Sequence, residues 1–265
     1  MKYAVNCSIL FKELPLLERP AAARQAGFEA VEFWWPFDQA TPDAKELAQF
    51  AKAIEAADVQ LIGLNLFAGD MSLGERGLVS WVSRRDEFKA NLPVALKLGQ
   101  DLGCRSFNAL YGVRQPGEDP AEADRVALAN LVSAAEAAAG FGGQILLEPI
   151  SGAAGYPFLT ADDVADVIVQ GRAAGAGDNL TFLCDLYHLA ANGDDLTAAI
   201  RDHADLIGHV QIADAPGRGQ PGAGSLPLGE HLAQLAGVGY DGWVALEYNP
   251  TGPTADSFGA LPPLP

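Results

Sequence analysis

The stretch ILLEPI, Ile145 to Ile150, places a carboxylate at the end of an apolar run and a proline directly behind it. An apolar run of this length bounded by a turn residue is typical of a buried strand of a parallel sheet. Pro149 cannot donate to a sheet, so the strand ends beside Glu148. The same layout returns in WVALEYNP at residues 243–250, where Glu247 closes the run. Two equivalent glutamates predict a repeated unit in which each carboxylate lies where a strand ends.

Short apolar runs alternate with longer Ala- and Leu-rich stretches of helical spacing along the chain. The predicted strands are Tyr3–Cys7, Ala30–Phe33, Gln60–Leu66, Ser106–Leu110, Gln144–Glu148, Leu180–Asp185, Ile207–Gln211 and Trp243–Glu247. The predicted helices cover roughly Leu16–Ala26, Pro42–Ala57, Arg85–Leu102, Pro120–Gly140, Thr160–Ala174, Asp195–His203 and Leu226–Leu235. Each strand-plus-helix step takes about 34 residues, the size of one unit of an eight-stranded barrel.

We therefore predict an α/β fold, a single-domain (β/α)8 TIM barrel over residues 1–265. An open, doubly wound sheet is the alternative, but no Gly-rich fingerprint follows the first strand. The tail at 251–265, TGPTADSFGALPPLP, contains four prolines and leaves the eighth helix short or missing. The connection at residues 67–85 is long for a barrel loop, and its length suggests a lid.

Composition limits the classes of function. The chain has 34 acidic and 17 basic residues, a formal net charge of −17, which disfavours binding to nucleic-acid phosphates. No apolar run approaches the length of a membrane span, and the N-terminus lacks the features of a signal peptide. Three widely spaced cysteines indicate reduced, buried thiols. We expect a cytoplasmic protein that acts on a small molecule, and a homo-oligomer remains open.

The last residues of the four later strands all offer oxygen ligands. These residues are Glu148, Asp185, Gln211 and Glu247. Strand ends meet at the carboxyl-terminal mouth of a barrel, where three crowded carboxylates would repel one another without a cation between them. Oxygen ligands favour a hard divalent ion, so we predict a site for Mg²⁺ or Mn²⁺. The alternative for each acid alone is a strand that simply emerges into water.

Two further polar residues are expected near this mouth. His188 follows Asp185 by three residues in a predicted loop, and Arg218 lies in the Gly- and Pro-rich loop after Gln211. Asp214 of that loop is a candidate brace. The other histidines are assigned to structure: His209 to the core by its alternation with Gln211, His203 and His231 to the helix surface.

Six segments in order and spacing resemble the hydroxypyruvate isomerase family of xylose-isomerase-like TIM barrels. They are GFEAVEFWWPFD, NLFAGDMSLGERG, LLEPI, CDLYH, GHVQIADAPGRG and YDGWVALEYNP. The resemblance implies a divalent metal held by Glu148, Asp185, Gln211 and Glu247. It also implies that the two glutamates act as acid and base, and that His188 and Arg218 contact the substrate.

The implied reaction is aldose–ketose isomerisation of a small hydroxy-oxo acid, hydroxypyruvate to tartronate semialdehyde, through a metal-stabilised enediolate. Leu64, and the small residues at 151–155, depart from the family pattern and resemble the 2-oxo-tetronate isomerases instead. A ketose 3-epimerase is a third alternative, although that branch uses a further Glu at 152–155. From other classes, a Schiff-base aldolase would need a Lys at a strand end and an endonuclease would need a basic groove, and this chain has neither. A non-catalytic sugar-acid-binding barrel stays open.

Overall fold

The computed structural model describes residues 1–265 and contains eight parallel strands that close into a barrel in chain order. The strands are β1 (Lys2–Asn6), β2 (Ala30–Phe33), β3 (Gln60–Asn65), β4 (Ser106–Asn108), β5 (Gln144–Leu147), β6 (Leu180–Asp185), β7 (Ile207–Ile212) and β8 (Trp243–Leu246). Because β1 pairs in parallel with β8, the ring is complete. The predicted TIM barrel is confirmed, and the open sheet is excluded.

Eight helices surround the barrel. They are α1 (Arg19–Gln25), α2 (Ala44–Ala57), α3 (Arg85–Asp101), α4 (Pro120–Ala139), α5 (Ala161–Gly171), α6 (Leu186–Asn192), α7 (Leu196–Asp202) and α8 (Leu228–Gly237). Both α6 and α7 connect β6 to β7, so the position after β8 carries only a 3₁₀ turn, Thr254–Asp256. This confirms that the eighth helix is missing. None of the helices combines the length and the apolar composition that crossing a membrane requires.

The predicted helix starts follow from side-chain capping. Asp43 accepts hydrogen bonds from the backbone N–H groups of Lys45 and Glu46, and the Glu46 side chain accepts one from the backbone of Asp43. Thr160 and Asp163 form the same reciprocal arrangement at the start of α5. Each pair satisfies backbone donors that have no partner within the helix.

The lower barrel interior has a polar part, where Gln144 bonds to Ser106 and Thr181, and an apolar part, called here the floor. Ala4, Ala30 and Ala245 form a buried cluster with Ile62. Each of the three alanines lies two residues before a polar residue of β1, β2 or the end of β8, so it faces the same side of its strand. Small residues at the floor let the strands approach closely, and the polar residues above them occupy the mouth.

The segment after β8 packs against the start of the chain. The ring of Phe258 lies 6.1 Å from that of Phe11 and 4.8 Å from that of Phe28. Thr254 accepts a hydrogen bond from the backbone N–H of Phe11 and donates one to Glu13. These contacts cover the seam between β8 and β1 in place of the absent helix.

Candidate active site

The ends of β5 to β8 bring the four predicted metal ligands to one buried region at the carboxyl-terminal mouth. Their exposed fractions are 4% for Glu148, 1% for Asp185, 2% for Gln211 and 3% for Glu247. The alternative of strands that simply emerge into water is therefore wrong for all four residues. Burying carboxylates has a large free-energy cost unless hydrogen-bond partners or a cation compensate the charge. The partners of each carboxylate therefore show which oxygens remain available to bind a cation or a substrate.

Asp185 has one carboxylate oxygen engaged and one free. Its Oδ1 caps α6 by accepting from the backbone N–H groups of Tyr187 and His188, at 2.7 and 3.0 Å. Its Oδ2 is buried and has no hydrogen-bond partner. The sequence analysis placed His188 in a loop, which is wrong: β6 runs directly into α6, and His188 lies in its first turn.

Two asparagines hold the two glutamates. Asn108, the last residue of β4, donates through Nδ2 to Glu148 Oε2 at 2.6 Å. Asn6, the last residue of β1, donates to Glu247 Oε2 at 2.8 Å. Asn6 also donates to Glu32 of β2, a buried carboxylate that binds Gln211 and His209 as well.

None of these partners, the two asparagines and Glu32, is among the residues predicted from the sequence. Strands β1, β3 and β4 each end in an asparagine, Asn6, Asn65 and Asn108. The repeated amide at strand ends was a usable signal. Glu32 was also visible, because a charged residue inside the apolar strand AVEF is rare unless it is paired.

His188 is oriented by Ser151. The backbone N–H of Ser151 donates to His188 Nδ1 at 2.9 Å, so Nδ1 is an acceptor and the ring proton lies on Nε2. Burial is the main cause that lowers the pKa of His188 to about 4; the charge of Asp185 opposes this shift and those of Arg218 and Arg76 add to it, so the ring is neutral near pH 7. Its Nε2 lies 3.8 Å from both Glu148 Oε1 and Asp185 Oδ2. A neutral N–H at this point can donate to an oxygen of a bound molecule.

Arg218 lies among the carboxylates and forms an ion pair with Glu247. Its Nη2 is also 3.9 Å from Asp185 Oδ2, and its guanidinium lies over the ring of Tyr187. The backbone of Arg218 has a φ of 55°, a left-handed conformation that is rare for a residue other than glycine. Such strain persists where the surrounding structure enforces it, and it is common at functional sites.

Asp214 braces the loop that carries Arg218, as predicted. It accepts from the backbone N–H groups of Ala215, Gly222 and Leu226, each at 2.9 Å. The backbone oxygen of Arg218 accepts from Asn249 N at 2.7 Å, which ties the loop to the segment after β8. The guanidinium is therefore held over the mouth by contacts on both sides of its loop.

Burial dominates the electrostatics of the two glutamates. It raises the pKa of Glu148 well above its usual range, and the charges of Glu247 and Asp185 raise it further. Burial also raises the pKa of Glu247, an effect that Arg218 opposes and Glu32 reinforces. Both carboxyl groups thus resist ionisation unless positive charge is added nearby.

The donor set fits a hard divalent cation. The buried Oδ2 of Asp185 and Oε1 of Gln211, from adjacent strands, both lack a hydrogen-bond partner. One ligand atom each from Glu148, Asp185 and His188 lies within 4.8 Å of the others. Since His188 carries its proton on Nε2, the oxygen atoms are the better ligands, and oxygen ligands favour Mg²⁺ or Mn²⁺.

A cavity of about 350 Å³ opens above these groups. Its lining includes Glu148, Glu247, His188 and Arg218, whereas Asp185 and Gln211 do not line it. A neighbouring cavity of about 550 Å³ shares part of this wall. The shared lining residues are Trp34, Asn65, Met71 and Ser72.

The connection at residues 67–85 covers one side of the cavity through Met71, Ser72 and Arg76. Of its charged residues, Glu75 and Arg84 pair with each other at 2.6 Å. Arg76 donates to the backbone oxygens of Met71 and Glu75 and adds positive charge to the wall. The lid function remains a prediction.

The predictions for the other three histidines are partly confirmed. His209 is buried, as predicted, and His203 is partly exposed and pairs with Asp162. His231 was assigned to the surface, which is wrong, because its side chain is buried on the inner side of α8. Leu64 packs in the core and lines neither cavity, whereas Ser151 lines the smaller one.

The chain is similar to known proteins over almost its whole length. The sequence pattern of the xylose isomerase-like TIM barrel family matches residues 20–263. A Streptomyces coelicolor protein named provisionally as a hydroxypyruvate isomerase is 51% identical, covering 98% of this chain and 95% of its own. The Escherichia coli hydroxypyruvate isomerase is 31% identical, covering 94% of both chains. A Cupriavidus necator 2-oxo-tetronate isomerase is 32% identical, covering 99% and 98%.

One solved structure has the same fold and a sequence identity similar to that of the two isomerases from Escherichia coli and Cupriavidus necator. The crystal structure of an AP endonuclease, family 2, from Brucella melitensis superposes with a TM-score of 0.88. It is 31% identical and covers 98% of this chain and 97% of its own.

Proposed function

Because the chain belongs to the hydroxypyruvate isomerase family of xylose isomerase-like TIM barrels, we propose that it is a metal-dependent isomerase of a small hydroxy-oxo acid. The favoured reaction is hydroxypyruvate to tartronate semialdehyde. The observation that carries the proposal is the cluster of three buried carboxylates at the barrel mouth, two of which line the cavity, with unpartnered oxygens on Asp185 and Gln211.

The cation would be held by Glu148, Asp185, Gln211 and Glu247. When bound, it supplies positive charge that polarises the substrate carbonyl and stabilises the negative charge that develops during deprotonation. The chain's own residues do the rest: they bind the acid, orient it and move the protons.

Arg218 and His188 supply the groups for the substrate carboxylate. Arg218 offers a guanidinium that can bind a carboxylate through two N–H groups, and His188 offers a neutral Nε2–H. Arg76 adds further positive charge from the loop side of the cavity. In a protein with a net charge of −17, this local concentration of donors is what attracts an anionic substrate.

The two glutamates differ in a way that assigns their roles. Both glutamates accept from an asparagine amide, but Glu247 also forms an ion pair with Arg218, which favours its ionised form. Glu247 is thus the base that takes a proton from the hydroxyl-bearing carbon, and Glu148 delivers one to the former carbonyl carbon. The hydroxyl proton passes to the neighbouring oxygen, so one hydrogen has moved between adjacent carbons and the formula is unchanged.

The test is a substrate panel with metal removal. Hydroxypyruvate, 2-oxo-tetronate and a ketohexose are incubated in D₂O with EDTA and then with added Mg²⁺ or Mn²⁺. We expect turnover of hydroxypyruvate with deuterium at the reacting carbon, loss of turnover in EDTA, and recovery with either metal. Full activity in EDTA would contradict the metal-dependent mechanism, and binding without deuterium exchange would indicate a non-catalytic barrel.

A 2-oxo-tetronate isomerase is the second candidate, and one observation favours it. The cavity of about 550 Å³ adjoins the smaller one beside Trp34, which gives room for a fourth carbon and its hydroxyl group. Preference in the panel for the four-carbon acid would establish this alternative. An endonuclease is disfavoured by the acidic net charge, and residues 152–155 offer no acid for the epimerase reading.

A further inference from the structure

A fourth buried carboxylate lies beside the candidate ligands. Glu32 is 3% exposed, and its Oε1 accepts from Asn6 Nδ2 at 2.9 Å and from Gln211 Nε2 at 2.6 Å. Its Oε2 accepts from His209 Nε2 at 2.6 Å. Three donors thus surround one buried negative charge, which satisfies its hydrogen-bonding capacity without a cation.

The backbone is shaped around Glu32. The register of β2 against β3 shifts between Val31 and Glu32, and that of β6 against β7 shifts between Phe182 and Leu183, where Leu183 pairs with His209. Irregularities of this kind re-aim side chains beside active sites. Gly63 supplies the space, because a Cβ there would lie 3.0 Å from Glu32 Oε2.

The contact with Glu32 determines which end of the Gln211 amide faces the candidate metal. An ionised carboxylate only accepts hydrogen bonds, so Gln211 must present its Nε2 to Glu32. Its Oε1 then points away from Glu32, where it is buried without a partner. An unguided glutamine amide can present either end, and its nitrogen is not a ligand for a cation.

We propose that Glu32 is a positioning residue that fixes the Gln211 amide with its oxygen toward the metal. Through the shared Nδ2 of Asn6, it also links this ligand to Glu247. The inference rests on the proposed metal-dependent function, and Glu32 itself contacts neither the metal nor the substrate. The competing explanation is that Glu32 and His209 form a buried pair that stabilises the fold alone.

The first experiment measures Mn²⁺ affinity from the electron paramagnetic resonance signal of free Mn²⁺. We expect Glu32→Met to weaken binding by about tenfold or more, the usual effect of losing a group that orients a ligand. The matched control is His209→Met, which removes a Glu32 hydrogen bond of the same length and leaves the Gln211 contact in place. It should change the affinity by less than about threefold. Equal losses in both variants would overturn the proposal.

The second experiment keeps the proposal testable if Glu32→Met does not fold. Gln211→Glu is made in the wild-type background and in the Glu32→Gln background, where both changes preserve side-chain shape. In the wild-type background the carboxylate introduced by Gln211→Glu is repelled by the charge of Glu32. In the Glu32→Gln background it accepts a hydrogen bond from the amide and keeps an oxygen toward the cation. For each background we take the ratio of the Mn²⁺ affinity with Gln211→Glu to the affinity without it. We expect this ratio to be about tenfold or more higher in the Glu32→Gln background than in the wild-type background.

The outcomes separate the two proposals. The same effect of Gln211→Glu in both backgrounds would show that the two positions are independent and would overturn the positioning role. A wild-type protein that binds no Mn²⁺ would instead overturn the metal centre of the proposed function, and this inference with it. Circular dichroism and thermal unfolding of each variant report folding separately from affinity.

Discussion

The two halves of the barrel mouth end in different polar groups. Strands β1, β3 and β4 end in the amides Asn6, Asn65 and Asn108, and strands β5 to β8 present Glu148, Asp185, Gln211 and Glu247. Where the halves meet, at the β4–β5 and β8–β1 neighbours, an amide donates to each of the two glutamates, at 2.6 and 2.8 Å. An amide fixes the orientation of a carboxylate without neutralising its charge, so in the proposed mechanism the first half is the holding half and the second is the reacting half.

The largest expected effect comes from removing a charge in the reacting half. Glu148→Gln and Glu247→Gln preserve side-chain shape but remove the proton-transferring carboxylate. Each should lower kcat/KM for isomerisation by about 1000-fold or more, at the scale of general acid–base catalysis. Turnover is followed by NMR in D₂O, with circular dichroism as the check on folding. Turnover near that of the wild type in either variant would remove that glutamate from the mechanism.

An intermediate effect comes from converting the holding half into the reacting kind. Asn108→Asp places a second carboxylate against Glu148, which makes the ionised form of Glu148 still less favourable and raises its pKa further. We expect kcat/KM at pH 7 to fall about 10- to 100-fold. The alkaline limb of the pH profile, which follows loss of the proton from Glu148, should move to higher pH.

The matched control for this change is Asn130→Asp. Asn130 is also a buried asparagine, but it donates to the backbone oxygen of Val79 and not to a carboxylate of the mouth. It should reduce stability and leave the pH profile in place. A profile that is unchanged in Asn108→Asp would show that the amide does not influence Glu148.

The smallest expected effect concerns stability in the absence of metal. In the unfolded chain Glu148 ionises near pH 4, but burial raises its pKa in the folded state. The stability contributed by its protonated form is therefore lost as pH rises through the folded-state pKa. Glu148→Gln removes this loss, so it should stabilise the metal-free protein at pH 8 by on the order of 1 kcal/mol, about 2–4 °C in Tm.

Thermal unfolding between pH 5 and pH 8 checks this prediction, since the difference from wild type should grow with pH and shrink when Mn²⁺ is added. Glu122→Gln serves as a control, because Glu122 is paired with Arg125 on the exposed side of α4. A destabilised Glu148→Gln protein at pH 8 would contradict the electrostatic account of the mouth.

The same two halves explain what could be predicted from sequence. An acid that closes an apolar run is conspicuous, so the reacting half was predicted residue by residue, together with the strand order. The predicted strands β1, β3 and β4 extend one or two residues too far, so Asn6, Asn65 and Asn108 fell inside strands and not at their ends. Helix α6 was missed because it has seven residues and starts directly from β6. The position of His231 was wrong because periodicity shows that a helix is amphipathic more reliably than which borderline residue faces inward.

The closure of the barrel between β8 and β1 has a consequence for how the chain is made. As the ribosome emits the protein, β1 emerges first, yet one of its two neighbours appears only with residues 243–246. Until then both margins of the growing sheet carry unsatisfied backbone groups that invite pairing with other chains. The contacts of Thr254 with Phe11, and of Phe258 with Phe11 and Phe28, can form only after β8 has been synthesised, and they then stabilise the closed barrel. Catalytic competence and protection from aggregation should therefore arrive in one late step, since Glu247 belongs to the same final segment.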